Sequence, residues 1–106
     1  MTDVCAVLIT APDAEWLASF VRGLVEDRLC ASGNISPVRS IYRWEGEVHD
    51  TGEALAIVRT VPDRVPAIMD RTLREHPYKV PSVITMPISD ATPAYRAWII
   101  EQSNPA

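Results

Sequence analysis

Thr10-Ala11-Pro12-Asp13 returns as Thr60-Val61-Pro62-Asp63, fifty residues later. Each copy follows an apolar run, Val4–Ile9 or Ala54–Val58, and each precedes a stretch with helical spacing. A short apolar run bounded by turn residues reads as a buried strand. Asp13 and Asp63 can each accept a hydrogen bond from the free N–H groups of a helix start, and the Pro before each stiffens the entry. The chain therefore reads as two strand–helix units, each followed by another strand. Two such units make a split-βαβ, or ferredoxin-like, α+β sandwich with an antiparallel sheet. That architecture hosts many unrelated activities, so function has to be argued from residues.

The helical spacing predicts a first helix from about Asp13 to Ala31. Trp16, Leu17, Phe20, Val21, Leu24, Val25 and Leu29 lie on one face, and Gly33-Asn34 stops it. A second helix, Arg64 to Glu75, buries Val65, Ile68, Met69 and Leu73 and takes Asp63 as its cap, because Pro66 is tolerated only in a first turn. A third, C-terminal helix follows Thr92-Pro93, with Tyr95, Trp98 and Ile99 as its inner stripe. Asn34–Thr60 reads as a long hairpin closed by the tight turn Glu45-Gly46. Pro37 confines its arm to a sheet edge, and Gly52 marks a bulge or bend. The last strand is Val83–Ile88, reached through His76-Pro77-Tyr78-Lys79-Val80-Pro81. No linker or second composition breaks residues 1–106, so one domain is expected.

Two features predict an oligomer. Val4–Ile9 and Ala54–Val58 are apolar without alternation, yet two helices cover one face of a four-stranded sheet, so the second face needs a cover. The hairpin arms also outrun the other strands, and a bare two-stranded ribbon is marginal in water. Subunits joined through sheet faces and ribbon edges solve both problems, with a ring as the closed form.

A net charge of −4 argues against nucleic acid or an anionic membrane as partner, since both reward a basic face. No segment reaches the ~20 apolar residues of a membrane span and no leader-like start is present, which makes the cytoplasm the expected compartment. Cys5 and Cys30 have neither disulfide-framework nor zinc spacing and read first as small buried residues.

Several stretches resemble the CutA divalent-cation-tolerance family, in order and over nearly the whole chain. They are Thr10-Ala11-Pro12-Asp13, Leu24–Leu29, Ser40–Val48 with Tyr42-Arg43-Trp44 at its centre, His76-Pro77-Tyr78-Lys79-Val80-Pro81 and Pro93–Trp98. The resemblance implies a ferredoxin-like homotrimer with sheets packed inward. It also implies a role linked to divalent-metal tolerance, copper especially. This chain departs from the family pattern at Ile9 and Ser32, where relatives carry cysteine, and at Lys79 and Ser82, where many carry Glu. A thiolate suits soft copper and a carboxylate harder ions, so copper or another divalent metal is expected to bind weakly.

The candidate ligand-binding residues are Tyr42, Trp44, His76, Tyr78 and Lys79, and the candidate metal ligands are His76 and Cys30. His76 is read either as a metal or anion contact in an inter-subunit cleft or, more commonly at such a place, as a helix-end residue bonded to backbone. Tyr78 and Lys79 would line the same cleft, Lys79 favouring an anion. Tyr42 and Trp44 stack a ligand or bury against a neighbouring subunit. Glu45, Glu47, His49 and Asp50 near the turn read either as a hard-cation site or, more commonly, as solvated charges that protect an exposed ribbon tip.

Rival functions fail on residues. A small acyl-phosphate hydrolase needs a glycine-rich phosphate loop after the first strand, where Thr10-Ala11-Pro12-Asp13 has no glycine. A copper chaperone of this shape needs Cys-x-x-Cys there, and an RNA-binding module needs aromatics on the central strands. No Ser/His/Asp or Cys/His pattern supports a hydrolase, so no catalysis is expected. A PII-like trimeric signalling protein, binding a nucleotide or small anion between subunits, is the serious alternative, although Glu45-Gly46 replaces the long loop such proteins carry. The expected protein is a homotrimeric binding factor for a small molecule or metal ion.

Overall fold

The computed structural model describes residues 3–104. Its elements run β1 (Cys5–Ala11), α1 (Ala14–Glu26), β2 (Ser32–Trp44), β3 (Glu47–Thr60), a 3-10 turn (Pro62–Arg64), α2 (Val65–Glu75), β4 (Val83–Pro87) and α3 (Pro93–Gln102). The four strands form one antiparallel sheet in the order β2-β3-β1-β4. The split-βαβ topology and the extra C-terminal helix are thus as expected.

Alternation along the central strands shows how the sheet is used. In β1, Val7, Ile9 and Ala11 point to the helices and are buried, while Ala6, Leu8 and Thr10 are half-covered. Leu17, Leu24 and Ile68 from α1 and α2 pack with Val7, Ile9 and Val58 to form the core. On the opposite face Leu8 pairs with Ile57 and Ile84, and the described residues leave Leu8 and Ile57 only partly buried and Ile84 exposed. Ile84 is 54% exposed and Met86 50%.

The ribbon is regular. From Ser32↔Arg59 to Trp44↔Glu47 the register never slips, so Gly52 sits opposite Arg39 without the expected bulge. Glu45 (φ 51) and Gly46 (φ 80) close it as a two-residue turn with both central residues in the left-handed region. The ribbon stretches the molecule to 44 Å along one axis against 25 and 21 Å across.

The helix boundaries need four corrections. α1 ends at Glu26 rather than Ala31, turned by Arg28 at φ 59, which lets Leu29 N–H bond the Leu24 carbonyl at 2.9 Å. Gly33 does not stop it but lies in β2, where a Cβ would come within 2.6 Å of Val21 Cγ1. Asp13 caps α1 by accepting from Glu15 N–H at 3.1 Å, whereas Asp63 caps nothing because it lies inside the 3-10 turn. Leu73, expected inside, is 67% exposed, and Tyr95 (41%) and Trp98 (40%) stack on each other at the surface, leaving Ile99 as the buried anchor of α3. Pro93 opens α3 as expected, although Thr92 makes no side-chain cap. Ion pairing fixes this helix instead: Arg96 holds Asp3 through two contacts of 2.7 Å, and Arg28 donates to the Asn104 and Glu101 carbonyls.

Candidate functional site

The loop after α2 folds back against the sheet because His76 ties it to β1 and α1. His76 is buried at the helix end, its ring edge-on to Trp16 of α1 at 5.1 Å between centroids. Its Nδ1 accepts the Tyr78 backbone N–H at 3.0 Å, so the proton sits on Nε2, which donates to the Thr10 carbonyl at 2.7 Å. Both ring nitrogens are therefore engaged within the chain, the geometry of a helix-end residue bonded to backbone. The ring sets the direction of the Pro77–Ser82 link.

Tyr78 is the next piece of that support. Its ring lies 5.1 Å from His76, and its hydroxyl donates to Glu53 Oε2 of β3 at 2.8 Å. Partial burial, the bond to Glu53 and the nearby negative charge push the Tyr78 phenol up to about 12. Tyr78 consequently stays a neutral donor across the neutral range.

Between this link and the ribbon lies a cavity of about 640 Å³. Tyr42, Trp44, Tyr78 and Lys79 all line it, with Glu45, Glu53 and the hydroxyls of Thr10, Ser40 and Ser82. Tyr42 is held against His49, its cross-strand neighbour, in a stacked pair at 5.2 Å and 14°. Four of the five predicted ligand residues thus meet in one groove, and the fifth, His76, braces it from below.

Cys30 is elsewhere. It belongs to the helix–sheet core, 1% exposed, and burial pushes its thiol up to about 12. The neighbouring Ala31 N–H bonds Arg59, and Leu29 accepts from Thr60, so Cys30 sits at the Cys5 end of β1. His76 sits at the Thr10 end, five residues or about 16 Å along the strand. The single chain does not bring this pair of candidate metal ligands together. Among the described residues no three His, Cys, Asp or Glu side chains cluster as a metal site.

Glu53 and Trp16 escaped the sequence reading. The signal for Glu53 was present: continuing the register from the Glu45-Gly46 turn places it opposite Val38, on the ribbon face that also carries Tyr42 and Trp44. Trp16 carried no such signal, because on the sequence it is one more apolar residue of a helix stripe.

Fold and groove define a ferredoxin-like sandwich with a long ribbon and a ligand-sized cleft between that ribbon and the link after α2. The family model for the CutA1 divalent ion tolerance protein matches residues 5–102, and the chain belongs to that family. A divalent-cation tolerance protein CutA from Thermus thermophilus is 40% identical over 98 residues, spanning 92% of this chain and 95% of the relative. The mouse protein CutA is 34% identical over 91% of this chain, which spans 55% of that longer relative. Among solved structures, the Thermus thermophilus CutA1 superimposes with a TM-score of 0.91 at 38% identity, covering 95% of this chain and 99% of the other. The CutA of Xylella fastidiosa gives 0.92 at 32% identity, covering 97% and 100%.

Proposed function

We propose that this chain is the subunit of a homotrimeric divalent-ion tolerance factor that works by binding rather than catalysis, with the ribbon groove as its ligand site. The observation that carries the reading is the presence of Tyr42, Trp44, Tyr78 and Lys79 in the lining of one cavity, beside a sheet face that the described residues leave partly exposed. The apolar row Ile84-Leu8-Ile57 supports the trimer, since such a face exposed on a monomer would be an aggregation hazard. The groove gathers aromatic faces and hydroxyls, and no His or Cys is among its lining residues, which supports binding over turnover. The tight Glu45-Gly46 turn leaves the PII-like signalling alternative the weaker one.

Any copper binding is weak in this account. His76 has both nitrogens engaged, Cys30 is buried far from it, and Lys79 brings positive charge to the groove. The cytoplasm is the compartment we assign, in keeping with two cysteines that are both free.

Calorimetry with copper(II) at neutral pH, run beside a hydrolase and phosphatase substrate panel, tests the reading. Copper should bind above micromolar if at all, about 4 kcal/mol short of a nanomolar site. A stoichiometric nanomolar site would overturn the metal part. Turnover abolished by Tyr78→Phe would overturn the assignment to binding.

A further inference from the structure

We propose that the groove takes a small organic zwitterion, its alkylammonium end held against the Tyr42, Trp44 and Tyr78 rings and its carboxylate end by Lys79. This rests on the groove being the ligand site and adds the class of ligand.

The charge count of the lining decides against a bare anion. Glu45 and Glu53 contribute two negative charges and Lys79 one positive, so a simple anion meets net repulsion despite the lysine. A bare metal ion fares no better. Glu53 is already an acceptor for Tyr78, and aromatic faces offer no lone pair that could replace the ion's water. A quaternary alkylammonium group is different, because it is large, weakly hydrated and attracted by ring faces. Three aromatic rings with two carboxylates are the chemistry that recognises such a cation.

Lys79 completes the match. It is the only lysine in the chain and forms no ion pair among the described residues. A carboxylate on the ligand would supply its partner, and the zwitterion as a whole adds no net charge to the groove. The hydroxyls of Thr10, Ser40 and Ser82 can satisfy remaining polar atoms, and about 640 Å³ suits a small molecule.

The test is calorimetry on the full chain at low ionic strength with three probes: trimethylglycine, tetramethylammonium chloride and sodium acetate. Trimethylglycine should bind most tightly, tetramethylammonium less so, and acetate not measurably. Trp44→Ala should weaken trimethylglycine about tenfold, the scale of a desolvated cation–π contact. Lys79→Gln should weaken trimethylglycine while leaving tetramethylammonium no weaker. Because Trp44→Ala could disturb the ribbon, Glu45→Gln at the turn gives an independent reading and should weaken both ammonium probes several-fold. Acetate binding more tightly than tetramethylammonium overturns the ligand class and leaves the groove as a site. No heat from any probe also overturns the class. The groove itself then stands or falls on whether a native small molecule, retained by the wild type, is lost in Trp44→Ala.

Discussion

Ile84→Asp distinguishes a sheet face that is free in solution from one that is covered. Within one chain Ile84 is 54% exposed, on the face away from the helices and paired with Leu8. Burying a whole isoleucine is worth about 1.5–3 kcal/mol, so an Asp at a half-exposed site forfeits about half of that while its charge stays in water. A monomer should therefore lose about 1 kcal/mol. In a trimer packed through this face the same carboxylate is buried beside Leu8 and Ile57, and an uncompensated buried charge costs about 3–5 kcal/mol per subunit. Light scattering at micromolar concentration, with urea unfolding at several protein concentrations, separates the two. The wild type should weigh about 35 kDa, three chains of 11.7 kDa, with a concentration-dependent midpoint. The variant should run as a monomer whose midpoint no longer depends on concentration. A wild type of 11.7 kDa would refute the reasoning, and so would a variant that keeps its mass at a cost near 1 kcal/mol.

Three further outcomes are expected. Gly33→Ala should destabilise by about 1–3 kcal/mol in urea unfolding, because its Cβ would meet Val21 Cγ1 at 2.6 Å between β2 and α1. Ultraviolet titration should show a late-ionising step, and Tyr78→Phe should remove it. The Tyr78 phenol is raised in the folded chain, so its contribution is fully present below the ordinary tyrosine range near pH 10 and is lost as pH rises toward about 12. Cys30 and Cys5 should resist a disulfide reagent at pH 8 in the native protein and react once urea unfolds it, since both are buried with raised thiols.

Much of this fold is legible from local chemistry, and its failures have separate causes. The repeated Thr-x-Pro-Asp stretch, the Glu45-Gly46 turn and the apolar strands all act through neighbours in sequence, and they placed the elements correctly. The end of α1 depends on Arg28 adopting a left-handed conformation that its residue type does not advertise, while Leu29, Cys30 and Ala31 prolong the apolar stripe. Gly33 looked like a helix stop because its actual constraint, Val21 from another element, is invisible in the chain order. Leu73, Tyr95 and Trp98 fit helical stripes that this chain does not cover. The groove was half-readable. Tyr42, Trp44, Tyr78 and Lys79 were found from composition and pattern, but Glu53 joins them only through strand register and the Tyr78 hydroxyl.

Native mass spectrometry of protein freshly isolated from its host tests the central claim most directly, since assembly, metal and small molecule are read in one spectrum. The account predicts three chains together, carrying an organic molecule of small mass and no stoichiometric metal, with the organic mass lost in Trp44→Ala. A single chain, or a trimer loaded with one metal ion per subunit and nothing else, would contradict it.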